Sequence, residues 1–399
     1  MGRRFVTATE VDDLVASGGT IMEIDARTAI TDDARERAHD RGVQVVEAAT
    51  PAARPNPFLG YPTGDDPLRL GRWSRDRAAD WYRAHPWPVG CNYVPAYAAN
   101  QLEMWQRDTF DLDAISTELD LARSLGFTTL RVFLHDLLWE ERTTFLDDLD
   151  RFLEAVWSRG MTMTPVFFDG VWNNYAFPGP QSAPIPGVHN SRWLQSPTAK
   201  VTIDPGQWPR LEDYVSSVIE RFGDDERVLL WDLYNEPGNE GLISNSLPLL
   251  DAVFRWARAV GPSQPLTSGI WEFTTAFAEL NRFQLLASDV LSFHHYGPVA
   301  ELERLITSMA FLGRPILCTE YMARPLDSAF VTHLPVLKAH DVGAIHWGLV
   351  AGRSQTYHPW DAKRGDAEPD VWFHDVFRPD GTPYDAAEVR LFQELTGQA

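Results

Sequence analysis

Cysteine is scarce. Cys91 and Cys318 are the only two in 399 residues. They form no metal-type spacing and no disulfide framework, so two buried, reduced thiols are expected over one disulfide. Lysine is scarcer still for a chain with 35 basic residues: Lys200, Lys338 and Lys363 are the whole complement, and the rest is arginine. Positive charge is short overall, with 56 acidic residues and a net charge of −21. Such a field repels nucleic acid and anionic membrane and favours neutral or cationic ligands. No run approaches the roughly 18 apolar residues that span a bilayer. The opening MGRRFVTATEVDDLVASGG has no apolar core of a secretory signal, so a cytoplasmic location is expected. No glycine-rich phosphate fingerprint follows any strand, and no HxxxH helix accompanies His294, His295, His346 and His358. Nucleotide and metal cofactors are therefore not expected.

What is present is a chain rich in core-forming residues, 44% hydrophobic and 12% aromatic, with 15 tryptophans. Sugars present flat C–H faces that stack on indole, so this excess is compatible with a carbohydrate ligand. Residues 1–50 read as a small αβ appendage, with Val11, Leu14 and Val15 on one helix, a strand near Ile21–Ile24, a helix ending at Gly42 and a strand through Val43–Val46. Residues 51–87, rich in Pro, Arg and Asp, read as a linker. From residue 88 to 399, apolar strands alternate with amphipathic helices. The strands are placed at 89–94, 129–134, 162–168, 228–234, 265–270, 290–295, 315–320 and 343–349. Helical faces such as Ile115, Leu119, Ala122 and Leu125, or Leu211, Val215, Val218 and Phe222, lie between them. Eight such units predict an α/β fold, a (β/α)8 barrel.

Chemistry in such a barrel collects where the strands end at their C-termini. Reading those ends in order gives Asn92, Arg131, Asp169 with Trp172 and Asn173, Asn235 with Glu236, His294 with Tyr296, Glu320, and His346 with Trp347. Two carboxylates facing each other across a sugar ring are what glycoside cleavage by double displacement requires. One must be ionised to attack the anomeric carbon. The other must carry a proton for the leaving oxygen. Arg131 is expected to hold Glu320 ionised below the ordinary carboxylate range, and burial to raise Glu236. Asn235 is placed to grip a ring hydroxyl and Trp347 to lie beneath the ring.

The segments LYNEP at 233–237, FHHY at 293–296 and CTEY at 318–321 resemble the clan A retaining glycoside hydrolases, specifically the cellulase-like family five. The resemblance covers about residues 88–396. It implies that Glu236 is the acid/base and Glu320 the nucleophile, with Arg131, Asn235, His294, Tyr296 and Trp347 completing the site. Trp172, Asn173, Trp271 and Trp360 are added as candidate sugar contacts. His135 is a candidate for the exposed His that the family carries near strands two or three. The third and eighth βα loops, about 172–202 and 351–375, are long, and long loops at a barrel mouth usually wall off a cleft. An exo-acting β-glycosidase on a small glycoside or oligosaccharide is expected. An endo-acting mannanase, xylanase or glucanase, a transglycosidase and a non-catalytic sugar-binding barrel are the alternatives. The first 50 residues also resemble a segment of ethanolamine-utilisation and microcompartment proteins, and a homo-oligomer through this appendage is a possible arrangement.

Overall fold

The computed structural model describes residues 4–6, 8–16, 21–24, 28–30, 32–47 and 71–398. Its contacts divide the chain into units 1–59 and 60–399. In the first unit, helices Ala8–Ala16 and Asp32–Asp40 enclose Val11, Ala34, Ala38 and Val43. Two parallel strand pairs accompany them, Arg4–Val6 with Thr28–Ile30 and Ile21–Ile24 with Gln44–Glu47.

The second unit contains eight parallel strands: β1 (Val89–Asn92), β2 (Thr129–Phe133), β3 (Thr162–Asp169), β4 (Trp231–Asn235), β5 (Leu266–Thr267), β6 (Leu291–His295), β7 (Ile316–Tyr321) and β8 (Gly343–Trp347). Each pairs with the next in chain order except β5 with β6, and β8 pairs with β1. β5 is only two residues long. The circle closes beyond it, where Ile270 bridges to Phe293 and donates its N–H to the Ser292 carbonyl at 3.0 Å. This is a (β/α)8 barrel. The strands are buried along nearly their whole length because helices cover the outside and side chains fill the inside. The amphipathic faces read from the sequence lie against the sheet. Ile115, Leu119 and Ala122 are buried on helix Leu112–Ser124, and Leu211, Val215, Val218 and Phe222 on helix Trp208–Phe222. β1 lies close against β2 at Gly90, where a Cβ would stand 1.8 Å from the Thr129 carbonyl oxygen.

The segment 51–87, expected as a linker and approach segment, is described only from residue 71. Residues 48–70 lie outside the described residues, but Arg75–Arg83 is a helix capped by Ser74. Its Tyr82 packs with Leu229, Leu230, Val290, Leu317 and Ile345 under the N-terminal ends of the strands. Just before it, the Trp73 N–H donates to Asp289 at 2.8 Å. Asp289 is fully buried, and it also accepts from the Leu266 N–H at 2.9 Å and from Arg258 at 2.6 and 2.7 Å. One carboxylate thus ties the entry helix to β5 and to helix Leu247–Val260. Removing one partner of a buried ion pair leaves the other charge uncompensated, at a cost of about 3–5 kcal/mol. Asp289→Ala is therefore expected to lower unfolding free energy by about that amount. A chemical denaturation curve checks it, and a midpoint unchanged from wild type would contradict it.

Candidate active site

Arg131 on β2 is fully buried at the centre of the barrel mouth. Its Nε donates to Asp232 Oδ2 on β4 at 2.9 Å, and a terminal nitrogen lies 2.8 Å from the same oxygen. One guanidinium nitrogen donates to Asn92 Oδ1 at 2.6 Å and to Glu320 Oε1 at 3.2 Å. The other donates to Asn235 Oδ1 at 2.7 Å. The fork of an arginine thereby fixes side chains from β1, β4 and β7 at once. The contacts extend outward. Asn92 Nδ2 donates to the carbonyls of Thr319 and His346, and Asn235 Nδ2 donates to Asp169 Oδ1 at 2.9 Å. Asp169 in turn accepts from Trp193 Nε1 at 2.6 Å.

Glu236 follows β4 in the left-handed backbone region, at φ 47°. Such a conformation is costly for a residue with a Cβ and persists only where its surroundings hold it. Its Oε2 accepts from Asn239 Nδ2 at 2.5 Å, and its Oε1 lies 2.7 Å from His294 Nδ1. Glu320, on β7, accepts from Tyr296 Oη at 2.8 Å in addition to Arg131. A bulge between β6 and β7 sets His294 opposite Glu320. One ligand atom from each of Glu236, His294 and Glu320 lies within 4.8 Å of the others. Among the described residues, these three could hold a divalent cation. This 4.8 Å bound on one oxygen from each carboxyl is shorter than the roughly 6.5–9.5 Å between the carboxyls of an inverting pair.

Electrostatically the two carboxyls differ in partners. Burial pushes Glu236 up to about 7, opposed by the Asn239 amide and the Arg131 charge. The expectation that Arg131 holds Glu320 below the ordinary range is overturned. Burial pushes Glu320 up as well, and the Glu236 charge adds to this, against the opposing pull of His294, Arg131 and the Tyr296 hydroxyl. Desolvation disfavours any charge in this mouth. Glu320 has a guanidinium and a hydroxyl donating to it, and is the better placed of the two to ionise. Burial lowers His294 to about 4, so its imidazole is neutral at pH 7.

The loops bring some expected residues to this centre and hold others away. Trp360, 43% exposed on loop eight, packs edge-on against Tyr296 with ring centres 5.0 Å apart. Trp172, 46% exposed on loop three, lies 6.1 Å from His189. Trp347 sits at the end of β8 but is only 8% exposed, stacked on Phe133 and edge-on to Trp193. Asn173 spends its amide on the loop itself, donating to the carbonyls of Ser191 and Trp193. Trp271 donates to the Pro237 carbonyl at 3.3 Å, tying loop five to loop four. His135 is buried, not exposed, and its Nδ1 accepts from the Leu137 N–H. His346 is buried among Phe127, Phe330 and Phe392, and Cys91 and Cys318 are free and buried. Asp232, Asn239, His189 and His374 had no assigned role. Asp232 alone left a signal, an acid inside the apolar run LLWDLY.

No family model matches the chain, and no curated protein matches it in sequence. Solved structures match its fold. An exo-β-1,4-mannosidase from Opitutaceae bacterium strain TAV5 superposes with a TM-score of 0.53 at 21% identity, over 78% of this chain and 60% of that one. The chain therefore spans less than two thirds of the length of that mannosidase. The GH5_18 protein of Bifidobacterium longum subsp. longum gives 0.56 at 15% identity, over 78% and 79%. An endo-β-1,4-mannanase from Thermotoga petrophila gives 0.52 at 13% identity, over 77% and 76%. At these identities the likeness shows the shared barrel fold. The resemblance of the first 50 residues to microcompartment proteins gains no support from any match. Among the described residues, no helix is long and apolar enough to cross a membrane.

The raised Glu236 carboxyl carries a stability consequence. A group whose folded pKa lies above its unfolded value of about 4.3 contributes stability that is lost as pH rises through the folded value. Below about pH 4 the contribution is complete, and by pH 8 it has gone. Glu236→Gln should therefore raise unfolding free energy relative to wild type at pH 8, by on the order of 3 kcal/mol, and Tm with it, and change both little at pH 4.5. Thermal melts of both proteins at the two pH values check this. An equal Tm difference at both would contradict it.

Proposed function

We propose that the protein is a retaining β-glycosidase that removes a terminal sugar from a small glycoside or oligosaccharide. The observation that carries this reading is the pairing of Glu236 and Glu320. Their nearest oxygens fall within 4.8 Å, one carboxyl held by Arg131 and Tyr296 and the other raised to about 7 by burial. In the first step Glu320 attacks the anomeric carbon while Glu236 gives its proton to the leaving oxygen. In the second, Glu236 takes a proton from water, which displaces Glu320 and restores both groups. Arg131 and Tyr296 stabilise the carboxylate that leaves, and His294, neutral, holds Glu236 in place. The names of the matched structures make β-mannosides the first substrates to test.

Exo action is supported by the way loops three and eight are knitted together. The Asn190 N–H donates to the Ser354 carbonyl, the Gly365 N–H to the Pro186 carbonyl, and the Gly187 N–H to Gln355 Oε1. Gln355 Nε2 donates to the carbonyls of Ile185 and Val188, and His189 bonds the His358 carbonyl. A seam of this kind closes one end of a cleft, as a pocket for a chain terminus needs. A cytoplasmic site of action accords with two buried free thiols. A homo-oligomer through the first 50 residues remains part of the proposal, to be read from the solution mass.

Glu320→Gln is expected to abolish turnover of 4-nitrophenyl β-glycosides. Glu236→Ala should lose far more activity on alkyl than on nitrophenyl glycosides, and its basic pH limb near 7 should vanish with the activated substrate. Equal losses on both substrates would overturn the acid/base role. A spread of internal cuts in an oligosaccharide digest would favour an endo-acting glycanase. Activity in EDTA should equal that without it, and added Zn²⁺ should inhibit by occupying Glu236, His294 and Glu320. Loss of activity on chelation would contradict the metal-free mechanism.

A further inference from the structure

His374 lies on loop eight, 54 residues beyond the Glu320 carboxylate in the chain, yet its ring centre stands 5.6 Å from that of Tyr296, whose hydroxyl holds Glu320. The ring is 1% exposed. Its Nδ1 lies 2.6 Å from the Met322 carbonyl oxygen. A carbonyl only accepts, so Nδ1 carries the ring proton. Burial, with His189 adding to it, holds the imidazole neutral. Nε2 is therefore an unprotonated acceptor, and among the described residues it has no hydrogen-bond partner. Its surroundings are ring systems: His189 at 5.5 Å, Phe373 at 4.6 Å and Trp360 at 6.5 Å between centres. None of these supplies a donor to it. A buried acceptor left unmade is costly, on the order of 1–3 kcal/mol, and calls for an explanation.

The same rings form a continuous wall. Trp172 meets His189, His189 meets His374, His374 meets Tyr296, and Tyr296 reaches Glu320. Trp360 and Trp172, both exposed, stand at the loop-eight and loop-three ends of it. Apolar faces combined with a single fixed acceptor match a pyranose, which offers C–H faces and hydroxyl donors. A carboxylate or phosphate offers only acceptors and would set a second lone pair against Nε2.

We propose that His374 binds substrate in the glycone pocket, where its Nε2 accepts a hydrogen bond from one hydroxyl of the terminal sugar and rejects sugars that are anionic at that position. This rests on the glycosidase reading above. His374→Phe keeps the ring and removes both nitrogens. His374→Gln can return an amide oxygen near the position of Nε2. With 4-nitrophenyl β-D-mannoside, the Phe variant is expected to raise KM about 10-fold with kcat changed less than 3-fold, the size of one neutral hydrogen bond. The Gln variant should recover most of the loss. Among the monodeoxy forms of this substrate, one should cost wild type about 10-fold and cost the Phe variant nothing more. Melts establish that the variants are folded. If wild type cleaves no aryl β-glycoside, the glycosidase reading fails. If wild type cleaves the substrate and the Phe variant matches it in KM, or every deoxy sugar costs both proteins alike, the His374 inference alone is overturned.

Discussion

Arg131 carries a permanent charge at a point with no access to solvent, and the barrel mouth is arranged around offsetting that cost. Asp232 takes the larger share, through two of the arginine's nitrogens, and sits three residues before Asn235 on the same β4. Asn92 and Asn235 accept what Asp232 leaves over, and Glu320 receives the remainder. The order matters for chemistry. Arg131, shared with three other oxygens, still pulls Glu320 down, but desolvation acts more strongly. Burial wins, and Glu320 is pushed up in company with Glu236. Two desolvated carboxyls this close disfavour a doubly ionised state, and a single shared proton is what a double displacement consumes and restores.

Around this centre the loops do two separable jobs. Loop eight presses Trp360 and His374 against Tyr296, and so bears on the group that holds Glu320. Loop three is sewn to loop eight through Gln355, Asn190 and His189. A pocket built from two long loops owes its shape to their mutual contacts more than to the barrel. That is why a low-identity match of the barrel frame leaves the sugar open.

Much of the frame was legible in the sequence. The strand positions follow from apolar runs, and the helical faces from 3.6-residue spacing, because both register burial directly. Glu236 and Glu320 stood out because ionisable residues at the ends of buried strands have few structural uses. β5 is shorter than the strand expected at 265–270, since only Leu266 and Thr267 join the ladder before Ile270 bridges to Phe293. The direction of the Glu320 shift differs from the expected one because a sequence can name a neighbouring charge but not how strongly burial opposes it. Asn173 and Trp271 turned out to hold loops together. His374 could not be found at all, because its place beside Tyr296 is made by a loop that returns from far along the chain.

The most direct test of the central claim is mass spectrometry of the protein after incubation with an activated 2-deoxy-2-fluoro β-mannoside. Such a sugar forms the glycosyl-enzyme faster than water releases it. The account predicts a mass increase of one fluorosugar per chain, carried on the peptide containing Glu320 and absent from Glu320→Gln. A stable adduct on any other residue, or hydrolysis with inversion at the anomeric carbon, would contradict it.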